Sequence, residues 1–175
     1  SRLTPVYGSG EARALAFWVM EKAFGVERID IYADKVRDFS EDDCERLRNI
    51  CERMEKGEPV QYVLGKADFM GCDWVVTPDV LIPRPETEEL VERTIGKLNE
   101  MYRGGVEHPR VLDAGTGSGC IAVSVALACP WAQVEAWDFS EAALQVAQRN
   151  AARLGAEVKF VRQDLLAPWP KSEPF

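Results

Sequence analysis

The segment VLDAGTGSGCIA, residues 111–122, constrains this chain more than any other. An apolar run ends in an acid, Asp113, and glycines then stand at positions 115, 117 and 119. A short apolar run of this kind is a strand buried on both faces, and alternate glycines after it let the backbone turn sharply into a helix. A strand, a tight turn and a helix are one repeat of a parallel sheet crossed by helices.

The residues that follow continue that repeat. A strand is expected over 110–113, a helix over 119–129 ending before Pro130, and a strand over 133–138. A helix over 140–154 stopped by Gly155 and a third strand over 157–162 complete it. Ligands in such sheets bind beyond the carboxyl ends of the strands, so the turn at 115–119 is a candidate site.

The first ~65 residues have a different period. Residues 11–24 place Ala14, Phe17 and Trp18 around helical turns before Gly25, and Ser40 with Asp43 starts a helix carrying Leu47, Ile50, Cys51 and Met54. This part reads as a small helical bundle, residues 1–65. In DFMGCDWVV the period changes to two around Gly71, which predicts a β-hairpin, and the proline-rich stretch after it makes 66–85 a linker. Pro85 suits a first helical turn, with Glu86, Glu88 and Glu89 at its positive end.

Charge and cysteine usage narrow the function. Residues 1–85 carry 12 basic against 16 acidic side chains and residues 86–175 carry 9 against 13, so neither half has the basic surface a nucleic-acid backbone needs. Five cysteines, an odd number without CxxC spacing, point to free thiols in a reducing cytoplasm. No export signal is expected at the start. His108 reads as a loop residue rather than a base, and Trp131, Trp137 and Trp169 as packing residues.

The candidate site is built from Gly115, Thr116, Gly117, Ser118 and Gly119, with hydroxyls and amides offered by Thr116 and Ser118, and from Asp138 at the end of the second strand. An acid there accepts from the two hydroxyls of a ribose, so the pair indicates an adenosine-containing cofactor. A nicotinamide dinucleotide and S-adenosylmethionine both satisfy that description. The glycine spacing leans toward the second, because a dinucleotide fingerprint needs a small third residue where Cys120 stands. Asp113 just before the glycines also suits a cationic sulfonium and amino group.

VLDAGTGSGCIA, GEPVQYVLGKADFMG and above all LIPRPETEELVE together resemble the HemK/PrmC family of release-factor glutamine methyltransferases, over nearly the whole chain. The resemblance implies an α/β chain: a helical substrate-recognition bundle, a β-hairpin linker and part of a class I (Rossmann-like) methyltransferase domain over 86–175. It implies S-adenosylmethionine as cofactor and, as substrate, the Gly-Gly-Gln glutamine of peptide chain release factors. Carried over by motif, the glycine loop would lie along the methionine part, and Asp164 and Leu165 would flank the adenine. Arg84, Pro85, Glu86 and Thr87 would close the pocket from the linker side. The family's catalytic Asn-Pro-Pro-Tyr string does not occur in this chain, which stops where a fourth strand is expected. No catalytic residue is therefore assigned, no metal is expected, and the chain is expected to be inactive alone. An adenine-amino methyltransferase of nucleic acid and a non-catalytic release-factor-binding fragment are the alternatives.

Overall fold

A computed structural model describes residues 2–32 and 39–169 of the 175-residue chain, and the last residues of the PWPKSEPF tail lie outside that range. Two compact units divide after Gly65.

The first unit is helical: α1 (Thr4–Phe24), α2 (Arg28–Tyr32), α3 (Glu41–Glu55) and α4 (Val60–Leu64). Helix α1 starts earlier than the apolar period predicts, with proline in its first turn and a non-helical Gly8 (φ 74°) inside it. Its buried face is Ala12, Val19 and Met20. Ala14 is exposed and Phe17 half-buried, the latter's ring flanked by the Arg13 and Arg28 guanidinium groups at 5.7 and 4.8 Å. Ser40 and Asp43 form the reciprocal cap at the start of α3: the Ser40 hydroxyl accepts from Asp43 N, and the Asp43 carboxylate accepts from Ser40 N. Leu3, Ala12, Val19, Ile50, Met54, Val60 and Val63 form the core.

The second unit begins with the hairpin β1 (Lys66–Phe69) and β2 (Cys72–Val75), paired antiparallel through Phe69 opposite Cys72. Met70 (φ 49°) and Gly71 (φ 70°) make the two-residue turn, both in the left-handed region that this turn type requires. Trp74 meets Phe69 edge-on, and its indole N–H donates to the Phe69 carbonyl at 2.8 Å. Helix α5 (Pro85–Arg103) then leads into β3 (Arg110–Ala114), α6 (Cys120–Ala128), β4 (Gln133–Asp138), α7 (Glu141–Leu154) and β5 (Lys159–Arg162). The sheet is parallel in the order β3-β4-β5. Helix α5 packs on α6, and α6 and α7 lie side by side against β4. Among the described residues β3 pairs on one side only.

Phe69, Trp74, Val91, Leu98, Val123, Val125, Val134 and Ala136 are in the core of this unit. Trp137 is buried against Trp169, and Trp131 is half-buried against Tyr102. His108 is exposed, with Nδ1 3.2 Å from the Trp131 carbonyl. All five cysteines are free thiols. Among the described residues no helix is long and apolar enough to cross a membrane, and no cluster of side chains could hold a metal ion.

Candidate cofactor site at the carboxyl ends of the strands

Three strands end side by side, and their backbone bonds bring the candidate residues together. Gly115 N and Thr116 N both donate to the Trp137 carbonyl, at 2.8 and 2.9 Å, so the glycine loop sits against the end of β4. Gln163 N donates to the Asp138 carbonyl at 3.0 Å, which places Asp164 and Leu165 beside the same end.

Four of the loop's five amides are committed. Besides the two bonds to Trp137, Gly117 N donates to Asp138 Oδ2 at 2.9 Å and Gly119 N to the Thr116 carbonyl at 2.9 Å. At the start of α6, Ala122 N donates to Asp113 Oδ2 at 3.2 Å. A pyrophosphate needs free amides at this helix end. Here Gly117 N and Ala122 N already meet carboxylates, and the acids Asp113 and Asp138 face the turn.

The side chains of the loop divide into two roles. Gly115 (φ 83°) and Gly117 (φ 55°) would place a Cβ in open space, so this surface of the loop is bare backbone that a ligand can approach. Thr116 and Ser118 are turned inward. The Thr116 hydroxyl donates to Asp113 Oδ2 at 2.7 Å, Ser118 bonds the Cys120 thiol, and both residues are buried. Their hydroxyls shape the loop from beneath rather than line its open face. Gly119 (φ 80°) is a packing residue, since a Cβ there would stand 2.9 Å from Ala147 Cβ on α7.

Asp138 spreads its carboxylate over two amides: Oδ2 takes Gly117 N, and Oδ1 takes Ser140 N at 2.9 Å. Each oxygen retains a lone pair for an outside donor. The Asp113 carboxyl is pushed above its ordinary range by burial; bonds from Thr116 and Ala122 oppose the shift, and the Asp138 charge adds to it. A cation near this corner would favour the charged carboxylate and oppose both effects.

Asp164 Oδ1 accepts from Leu166 N at 2.9 Å and closes an exposed turn that also presents Leu165. Arg84, Pro85 and Glu86 are exposed and Thr87 half-buried at the start of α5, where Thr87 N donates to the Arg84 carbonyl at 2.9 Å. The neighbouring Glu88 reaches another element: its carboxylate accepts from Met70 N at the hairpin tip, 2.6 Å away. From the sequence Glu88 is legible only as an acid at a helix start, and Asn150, a buried residue of α7 that bonds both β2 and the glycine loop, carries no sequence signal of that role.

The PrmC N-terminal domain model matches residues 1–65 and the Methyltransferase small domain model matches residues 97–173. A release factor glutamine methyltransferase of Bacteroides thetaiotaomicron is 44% identical over 165 residues, covering 94% of this chain and 57% of that protein. Over nearly its whole length the chain is similar to release factor glutamine methyltransferases. Family members from Bordetella pertussis (51% identical; 73% of this chain and 46% of that protein covered) and Bacillus subtilis (44%; 85% and 51%) match as well. The chain spans about half the length of the curated relatives it matches.

Proposed function

We propose that this chain carries the cofactor-binding part of a cytoplasmic enzyme that methylates the glutamine side-chain amide in the Gly-Gly-Gln loop of peptide chain release factors, with S-adenosylmethionine as methyl donor. One observation carries the cofactor reading: the glycine loop shows an open, bare face to a corner with two carboxylates, while the amides of Gly115, Thr116, Gly117 and Gly119 are already bonded within the protein. Two carboxylates at that corner favour a ligand with a sulfonium and an ammonium group over the negative charge of a pyrophosphate.

When bound, the cofactor supplies an electrophilic methyl group. Gly115 and Gly117 would face its methionine part and Thr116, Ser118 and Gly119 would keep the loop in shape. Asp138 would accept from the ribose hydroxyls, and Asp164 and Leu165 would flank the adenine, with the Asp164 carboxylate suited to the exocyclic amino group. Arg84, Pro85, Glu86 and Thr87 would border the pocket from the start of α5. The helical unit 1–65, matched by the PrmC N-terminal domain model, would recognise the release factor.

An amide nitrogen is a poor nucleophile, and the transfer needs acceptors that hold its two hydrogens while the methyl group lies in line. The Asn-Pro-Pro-Tyr string that the family resemblance assigns to this task is not in the 175 residues. Titration calorimetry is the test: S-adenosylhomocysteine is expected to bind this polypeptide and NAD not to bind. With radiolabelled S-adenosylmethionine and a release factor, no methyl transfer by this polypeptide is expected. Binding of NAD in place of S-adenosylhomocysteine would overturn the cofactor reading, and turnover would overturn the assignment of catalysis to the missing string.

A further inference from the structure

We infer that Asn150 is a positioning residue for the cofactor site, fixing the glycine loop through the Ser118 carbonyl and locking that loop to the end of the hairpin. The inference rests on the cofactor reading above and extends it to a residue outside the binding motifs.

Asn150 is fully buried in α7. Its Oδ1 accepts from Val75 N at 2.8 Å, while Nδ2 donates to the Val75 carbonyl at 3.0 Å and to the Ser118 carbonyl at 2.9 Å. An amide N–H can only donate and two carbonyls can only accept, so these partners fix which end of the carboxamide points where. Toward Val75 the side chain does what a neighbouring strand would do, satisfying both backbone groups of the last residue of β2. Toward Ser118 it holds the loop between Gly117, which faces open space, and Gly119, which faces α7.

Helix α7 supports the loop a second time within the same turn. Ala147, three residues before Asn150, is the residue that leaves no room for a side chain at Gly119. A contact at Gly119 and a hydrogen bond at Ser118 hold the loop from the α7 side. The next amide back, Gly117 N, is bonded to Asp138. A shift of the Ser118 carbonyl would therefore be felt at the carboxylate expected to hold the ribose. The hairpin shares the same side chain, and its tip is held from α5 by Glu88. The linker is thus built into the site rather than strung past it.

No other side chain makes this set of bonds. An apolar replacement leaves three backbone groups unpaired, the Ser118 carbonyl fully buried and the two Val75 groups partly so, and an aspartate sets a carboxylate against two carbonyls. The experiment compares Asn150→Ala, Asn150→Asp and a control, Leu98→Ala, which opens the core on α5 away from the loop. Affinity for S-adenosylhomocysteine is read by calorimetry, and backbone amide exchange is read at 72–76 and 115–120. Both Asn150 variants are expected to lose affinity by about tenfold or more and to exchange faster in both segments together. Leu98→Ala should lower the thermal midpoint and keep affinity within about twofold. Asn150→Asp keeps the volume and the acceptor for Val75 N, so it reports even where the alanine variant fails to fold. Wild-type affinity in the Asn150 variants, or an equal loss in Leu98→Ala, would overturn the inference. Should the wild-type chain bind no S-adenosylhomocysteine, the cofactor reading falls, and exchange decides the coupling by itself: acceleration in both segments supports it and acceleration in one alone overturns it.

Discussion

Two glycines two residues apart do different work, and a single methyl group tells them apart. At Gly117 (φ 55°) an added Cβ meets nothing within 4 Å, so Gly117→Ala costs only the left-handed backbone, about 1–2 kcal/mol. The methyl would instead stand on the open face that the proposed cofactor approaches. At Gly119 (φ 80°) the same methyl lies 2.9 Å from Ala147 Cβ and 3.2 Å from Ala147 Cα, so strain adds to overpacking, for a total of about 2–5 kcal/mol. We expect Gly117→Ala to melt within several degrees of the wild type yet lose S-adenosylhomocysteine, and Gly119→Ala to melt far lower. Thermal scans and calorimetry on the two variants check this, and the reverse order would show that the open face is not the ligand's. The glycine pattern was visible in the sequence. What divides its members is not, because Gly119 owes its role to Ala147 across a helix–helix contact. Asn150 was hidden for the same reason: a polar residue inside AQRNAARL reads as a solvent-facing helix position, and its partners lie 75 and 32 residues away.

At the scale of elements, the strand–helix repeat is legible because short apolar or alternating runs and longer helical runs follow one another between residues 110 and 162 and each helix has a stop. Strands β3 and β4 and helices α6 and α7 fall within a residue or so of expectation, and β5 is two residues shorter than the run 157–162. Helix α1 was under-read because Gly8 and Gly10 count locally as breakers, whereas Leu3 is carried into the core by the turn ahead of them. Cross-strand chemistry is the part that needs register. Glu135 on β4 meets Lys159 of β5 at 3.0 Å and Arg110 of β3 at 3.5 Å, and it accepts from the Trp137 indole. Burial raises its carboxyl, but bonds from Lys159 and Trp137 and the two positive charges outweigh burial and hold it below the usual 4.5. A carboxyl lowered by folding stabilises the protein above its unfolded value, and that contribution is lost as pH falls through the folded value. Glu135→Gln should therefore reduce stability at neutral pH, by about 1 kcal/mol for partly exposed pairs, and have no effect once the wild-type carboxyl is protonated. Urea midpoints from neutral to acid pH check this, and a gap between the two proteins that does not close on the acid side would contradict it.

At the scale of the whole molecule, two buried clusters stand in two units, one around Ile50 and Met54 and the other around Phe69, Trp74 and Val123. A cooperative transition belongs to a core, so two transitions are expected. The tryptophans are placed to see them, since Trp18 is in the first unit and Trp74, Trp131, Trp137 and Trp169 are in the second. In Trp18→Phe the fluorescence reports the second unit alone, while far-ultraviolet circular dichroism reports helices in both. A ligand that binds one folded unit stabilises that unit by mass action, by about 2.7 kcal/mol at a hundred times its Kd. Adding S-adenosylhomocysteine should accordingly move the fluorescence transition of Trp18→Phe to higher urea and split the dichroism curve further, leaving its first-unit component in place. Curves that coincide with and without ligand would mean that the two cores unfold as one. A shift confined to the other component would place the ligand on the helical unit instead of at the glycine loop.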